Sequence, residues 1–219
     1  MSAMEIRYIA PFTTLPPAER AAITTAAHLR NYRHGERLFQ ATEACTGVIV
    51  LLDGFVRHFR SDSDGMEVTT SIVSRGSILT TAALRGRTEH DISGEAIGRV
   101  RTIEIPAPIF LSPMSRFPKM FEEIAWELIT QTNDVYMDTM TDVHEQLWSR
   151  ILHMLRRLTK TTFAASDDAA IYPMAHRLSH VEIARLVGAE RSSVTRALRL
   201  LDERSLIRRE RGHVTAVRI

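Results

Sequence analysis

The 219-residue chain has one cysteine, Cys45. An intrachain disulfide needs two thiols and a cysteine-held iron–sulfur cluster needs several, so the first is excluded and the second disfavoured. Cys45 reads as a small buried hydrophobe. No apolar run reaches the length of a membrane span. The opening MSAMEIRYIAPF lacks both the basic flank and the long apolar stretch of a secretory signal, so the cytoplasm is the expected compartment and no membrane partner is expected. Catalytic signatures are missing too. His144-Glu145 begins an H-E-x-x-H zinc pattern, but Trp148 stands where the second histidine must be. SDSDG has neither the ligand spacing nor the distal glutamate of an EF-hand loop. There is no Walker loop, G-x-S-x-G elbow or C-x-x-C, so neither an enzyme nor a metal site is expected.

Lysine is absent from the last 44 residues, His176 to Ile219, which hold ten arginines against five acidic residues, a local net charge of +5. The whole chain carries only +2, so the remaining 175 residues are net −3. One end is therefore an electropositive module built on arginine alone. The planar guanidinium fork suits phosphates and base edges, which points to a phosphate-rich partner.

The hydrophobic content, 44%, supports a real core, and the pattern of that content changes twice along the chain. LPPAERAAITTAAHL, Leu15 to Leu29, reads as a short helix opened by prolines. From Arg37 to Ile105 short β-rich runs alternate with turn residues. TGVIVLLDGFVRHF gives two runs about an Asp53-Gly54 turn, MEVTTSIV follows SDSDG, and SRGS at Ser74 to Ser77 is another break. RVRTIEIP, Arg99 to Pro106, reads as the closing strand. This spacing predicts an antiparallel barrel or jelly roll.

Glycine and proline are then absent for 42 residues, Lys119 to Lys160. One long helix of about 60 Å is the simplest reading, with two shorter helices as the alternative. Phe121, Ile124, Leu128, Val135, Val143, Leu147, Ile151 and Leu155 form an apolar seam with a gap near Asp138. A small domain cannot easily bury such a seam, so a dimer interface is expected. Trp126 and Trp148 on this helix read as packing residues. AASDDAA, Ala164 to Ala170, reads as a hinge.

The last segment carries the strongest motif. Ser179 and Glu182 have capping-box spacing, so a helix starts there, with Ile183, Leu186 and Val187 inward. Gly188 supplies a turn. Val194, Ala197, Leu198 and Leu201 recur at i, i+3, i+4 and i+7, which buries one face of a second helix and turns Arg191, Ser192, Thr195, Arg196 and Arg199 outward. Two short strands around Arg211-Gly212 complete a winged helix-turn-helix, a fold that lays its second helix in the major groove of double-stranded DNA. Arg191 and Arg196 are candidates for guanine O6 and N7; Ser193, Thr195 and Arg199 are candidates for phosphates.

In this order, a β-roll, a long helix and a winged helix resemble the Crp/Fnr transcription regulators. LLDGFVRHF, DGMEV, WSRILHMLRRL and above all LSHVEIARLVGAERSSVTRALRLLDERSLI carry the resemblance, which covers nearly the whole chain. It implies an α+β protein with a roll at 1–118, a dimerisation helix at 119–163, a hinge at 164–170 and a DNA-binding domain at 171–219. It also implies a homodimer on a pseudo-palindromic site, meeting RNA polymerase if it is an activator. The family reads bases through an Arg, a Glu and an Arg; the matching positions here are Arg191, Ser192 and Arg196, so Ser192 departs from the pattern.

The effector pocket departs further. Cyclic-AMP-binding members hold the nucleotide with Gly-Glu and Arg-Ser pairs, where this chain has Thr80-Thr81 and His90-Asp91. The purine-facing positions of the long helix resemble Val135 and Tyr136. A site whose arginine has become histidine followed by aspartate has lost its main phosphate partner, so cyclic AMP is disfavoured. Three readings of the roll stay open: another small-molecule effector, no effector with activity set by abundance, or haem held by one of His28, His34, His58 or His90. A sensor whose winged helix binds an acidic protein is the competing function.

Overall fold

Glycine placement and two-sided burial shape the first half of the chain. The structure is a computed structural model that describes residues 6–7, 9–144, 146–160 and 171–218. It divides into two units, 1–58 with 71–134 and 59–70 with 135–219. In chain order, helix α1 (Pro17–Ala26) begins with proline at its first turn, and strands β1 (His28–Tyr32), β2 (Arg37–Phe39), β3 (Gly47–Ser61), β4 (Glu67–Val73) and β5 (Ser93–Pro106) follow. The sheet order is β1-β5-β3-β4, with β2 also on β5. Leu29 lies opposite Ile103 in the antiparallel β1–β5 pair.

Asp53-Gly54 is not a hairpin turn, contrary to the expectation. β3 runs through it without interruption, and Gly54 bends it at φ +90°. A Cβ there would stand 2.3 Å from the Arg99 carbonyl oxygen, so only glycine fits both the conformation and the space. The closing strand also starts earlier than expected, at Ser93.

β3 is apolar on both faces because each face meets a core. Val48, Val50 and Leu52 join Ile103 and Ile105 against Phe12, Ile23, Phe110, Met120 and Ile124, where Phe12 and Phe110 meet edge to face at 6.1 Å. Ile49, Leu51 and Val56 join Phe39, Val73, Leu79, Ala96 and Val100 inside the roll. Helices α2 (Ala107–Arg116) and α3 (Pro118–His144) follow.

The expected 42-residue helix is two helices, with α4 at Leu147–Lys160. α4 starts nine residues beyond the gap at Asp138, and Gln146 before it is not helical. The reason for the break is a local restart: the Gln146 carbonyl accepts from the Ser149 and Arg150 amides, and the Gln146 side chain accepts from Trp148 Nε1 at 2.7 Å. The Arg204 guanidinium covers the same indole at 4.7 Å. Trp148 is thus a packing residue, whereas Trp126 is two-thirds exposed.

In the second unit Ile151, Leu152, Met154, Leu155 and Leu158 turn one face of α4 inward. The expected hinge, 164–170, lies outside the described residues. Beyond it come β6 (Ile171–Ser179), α5 (His180–Val187), α6 (Arg191–Glu203), β7 (Ile207–Glu210) and β8 (His213–Arg218), with sheet order β6-β8-β7. No helix among the described residues is long and apolar enough to cross a membrane.

Candidate nucleic-acid interface

Local chemistry places α6. Ser179 Oγ accepts from the Glu182 amide at 3.3 Å and the Glu182 carboxylate accepts from the Ser179 amide at 2.6 Å, a complete capping box that starts α5. Gly188 ends it in the left-handed region at φ +62°, and α6 begins three residues later. Val194, Ala197, Leu198 and Leu201 are all buried, as their spacing predicts. Arg211 and Gly212, both at positive φ, make the tight turn between β7 and β8.

The buried stripe fixes what faces outward. Arg191, Ser192, Thr195 and Arg196 line one open depression on α6, so four of the six candidate contacts are brought together. Ser193 is half-buried and accepts from Arg196 Nη2 at 3.2 Å. Arg199 lies further along the exposed face, where Nε donates to the Glu203 carboxylate at 2.9 Å. That pair is widely exposed, so it holds the guanidinium only weakly.

The sequence did not single out His180. The Thr195 hydroxyl donates to the Arg191 carbonyl at 2.9 Å, so toward His180 Nδ1, 3.0 Å away, its oxygen accepts. This requires the proton on Nδ1 and pins the start of α5 to the middle of α6. Burial lowers the His180 pKa, helped by Arg209, Arg191 and His213. The wing adds Arg208 and Arg211, both exposed, while Arg209 is held by Asp202 at 2.7 Å. A basic turn was legible in the sequence; which arginine the domain uses internally was not.

A small cavity lies in the roll among the described residues. Thr80, Thr81, His90 and Asp91 line it with Phe39, Leu79, Ala82 and Ile92. Its volume is about 20 Å³. A single water needs about 10–15 Å³ by that measure. Thr80 Oγ1 is committed to strand backbone, accepting from the Ile49 amide at 2.9 Å and donating to the Gly47 carbonyl at 3.3 Å. The Asp91 carboxylate faces Arg87 at 2.6 Å and Arg85 at 3.9 Å. The His90 ring packs on Phe39 at 4.8 Å.

His58 also lies near Phe39, ring centres 6.0 Å apart, with Nδ1 3.3 Å from the Ser71 hydroxyl. Burial lowers its pKa from 6.5 to about 4. The unfolded chain therefore takes up a proton between pH 6.5 and 4 that the folded chain refuses, and stability falls as pH falls through that window. At pH 5 the expected loss relative to pH 7 is about 2 kcal/mol. Urea unfolding of wild type and His58→Gln at the two pH values checks this. An equal acid loss in both proteins would exclude His58 as the cause.

The arrangement has known counterparts. The cyclic nucleotide-binding domain matches residues 29–117, and the Crp-like helix-turn-helix domain matches residues 148–219. Over 203 residues the chain is 25% identical to a CRP-like cAMP-activated global transcriptional regulator of Mycobacterium tuberculosis, covering 91% of this chain and 88% of that one. The chain belongs to the Crp/Fnr family of transcription regulators. Another similar member is the global nitrogen regulator of Synechococcus elongatus, 23% identical over 189 residues, 85% of this chain and 84% of that one. The fold of this Crp/Fnr regulator matches FixK2 from Bradyrhizobium japonicum with a TM-score of 0.71 at 16% identity, covering 88% of this chain and 93% of that one. In this Crp/Fnr member the helix-turn-helix is DNA-binding, and the relatives are regulators rather than enzymes.

Proposed function

We propose that the protein acts in the cytoplasm as a homodimer, reads a pseudo-palindromic DNA site through α6, and does so without a small-molecule effector in the roll. The observation that carries the DNA reading is the exposed face of Arg191, Ser192, Thr195 and Arg196 on a helix whose opposite side is fully packed. Arg191 and Arg196 read base edges, while Ser193, Thr195 and Arg199 hold phosphates and set the register. Two copies related by a two-fold axis reach half-sites about 34 Å apart. An activator of this kind would also meet RNA polymerase.

Support for the dimer comes from α3. Phe121 and Ile129, eight residues apart, leave two apolar side chains exposed by 57 and 48%. Ile129→Lys is expected to convert a dimer into a monomer in sedimentation runs and to weaken binding to a two-half-site duplex. A variant that sediments as wild type would place the interface elsewhere.

Support for the effector-free reading comes from the cavity. Phe39 and His90 pack on each other in the lining of the cavity where the resemblance puts a nucleotide, and the cavity has room for about one water. A haem needs far more. A ligand at 100 times its Kd stabilises a protein by about 2.7 kcal/mol. Cyclic AMP and cyclic GMP at millimolar concentration are therefore expected to leave Tm unchanged. A rise of several degrees with either would sink this reading while leaving the DNA reading in place.

A further inference from the structure

Glu190 stands immediately before α6, exposed, with extended backbone at φ −68° and ψ 142°. A side chain at this position ordinarily folds back onto the free amides of the first helical turn. Glu190 makes no such cap. Its Oε2 instead accepts from the Ser192 hydroxyl at 3.4 Å. Ser192 lines the depression with Arg191, Thr195 and Arg196, so a carboxylate sits at the edge of a surface otherwise lined by cations and hydroxyls.

A carboxylate at a DNA interface is repelled by phosphates. It lowers the free energy of a complex only where it meets a donor. In the major groove the donors are the cytosine N4 and adenine N6 amino groups, and adenine places its N7 acceptor beside N6. Cytosine N4 therefore fits a carboxylate better. We propose that Glu190 is a specificity-determining residue that accepts a hydrogen bond from a cytosine N4, with Ser192 as the positioning residue that aims it. The proposal rests on the reading of α6 as the groove-entering helix. A carboxylate has about four lone-pair sites, so the bond from Ser192 leaves acceptors for the base. The serine at the family's carboxylate position then has an electrostatic counterpart two residues earlier.

The test is binding of full-length wild type, Glu190→Ala, Glu190→Gln, Ser192→Ala and Arg196→Ala to a randomised duplex pool, scored base by base and repeated at several salt concentrations. Glu190→Ala is expected to lose about tenfold preference at one C·G pair while other positions and the salt slope stay unchanged. Glu190→Gln is expected to move that same pair toward A·T, because an amide can both accept from adenine N6 and donate to N7. Ser192→Ala is expected to blur the same pair less, and Arg196→Ala a different one. If both Glu190 variants bind every sequence more tightly and with a steeper salt slope, the carboxylate faces phosphate and the proposal is overturned. A wild-type base profile preserved in Glu190→Ala overturns it as well. A wild type with no preference at any position overturns the groove reading of α6 itself, a result distinct from either.

Discussion

Gly54→Ala is expected to destabilise the roll by roughly 2–5 kcal/mol. Two costs add at this position. A non-glycine residue at φ +90° pays about 1–2 kcal/mol for its backbone conformation, and the new Cβ would lie 2.3 Å from the Arg99 carbonyl, so β3 and β5 must part locally. Forced shifts of that kind typically cost about 1–3 kcal/mol. Gly65→Ala is the control. Gly65 has φ +80° but nothing within 4 Å of its missing Cβ, so the conformational cost stands there alone. Denaturant unfolding of the two variants separates the contributions. Equal losses would mean that close approach of Gly54 to β5 does not matter.

The second large effect is on DNA. Replacing Arg191 and Arg196 together by alanine is expected to weaken binding to the selected site by about 2–6 kcal/mol, since each bidentate arginine–guanine pair discriminates by about 1–3 kcal/mol. Binding to unrelated DNA should change far less. Arg199→Ala should act the opposite way, weakening all sequences alike and lowering the salt slope by about one. Arg199 leaves only an exposed pair with Glu203, so little opposes its transfer to a phosphate. Titrations on selected and scrambled duplexes at several salt concentrations distinguish the two roles. Uniform loss on every duplex for the double variant would mean that these arginines are phosphate contacts.

What was legible in the sequence was mostly local. Ser179, Glu182, Gly188 and the stripe from Val194 to Leu201 act within one or two helical turns, and each falls where its spacing predicts. Asp53-Gly54 was ambiguous because a glycine between β-rich runs signals a turn or a bend equally; a carbonyl 45 positions away decides it. The break between α3 and α4 carries no glycine or proline. Its visible partners are Trp148, Gln146 and Arg204, and Arg204 is remote in sequence. β6 was also missed, because Pro173 weakens any strand reading. An edge position beside β8 tolerates it.

The roll shows the same division. Thr80-Thr81 and His90-Asp91 could be picked out as candidate pocket positions from the sequence. What fills the space could not, since Phe39 packs on His90 from a strand some fifty residues earlier, and Thr80 is claimed by the backbone of β3.

The central claim, that this Crp/Fnr regulator reads DNA through α6 with an empty roll, is tested most directly by titrating ligand-free protein onto a selected pseudo-palindromic duplex and a scrambled one across a salt series. One dimer per selected duplex, clear preference over the scrambled one, and affinity falling linearly with salt on logarithmic axes are expected. Equal binding to both duplexes, with preference restored only by a cyclic nucleotide, would contradict it.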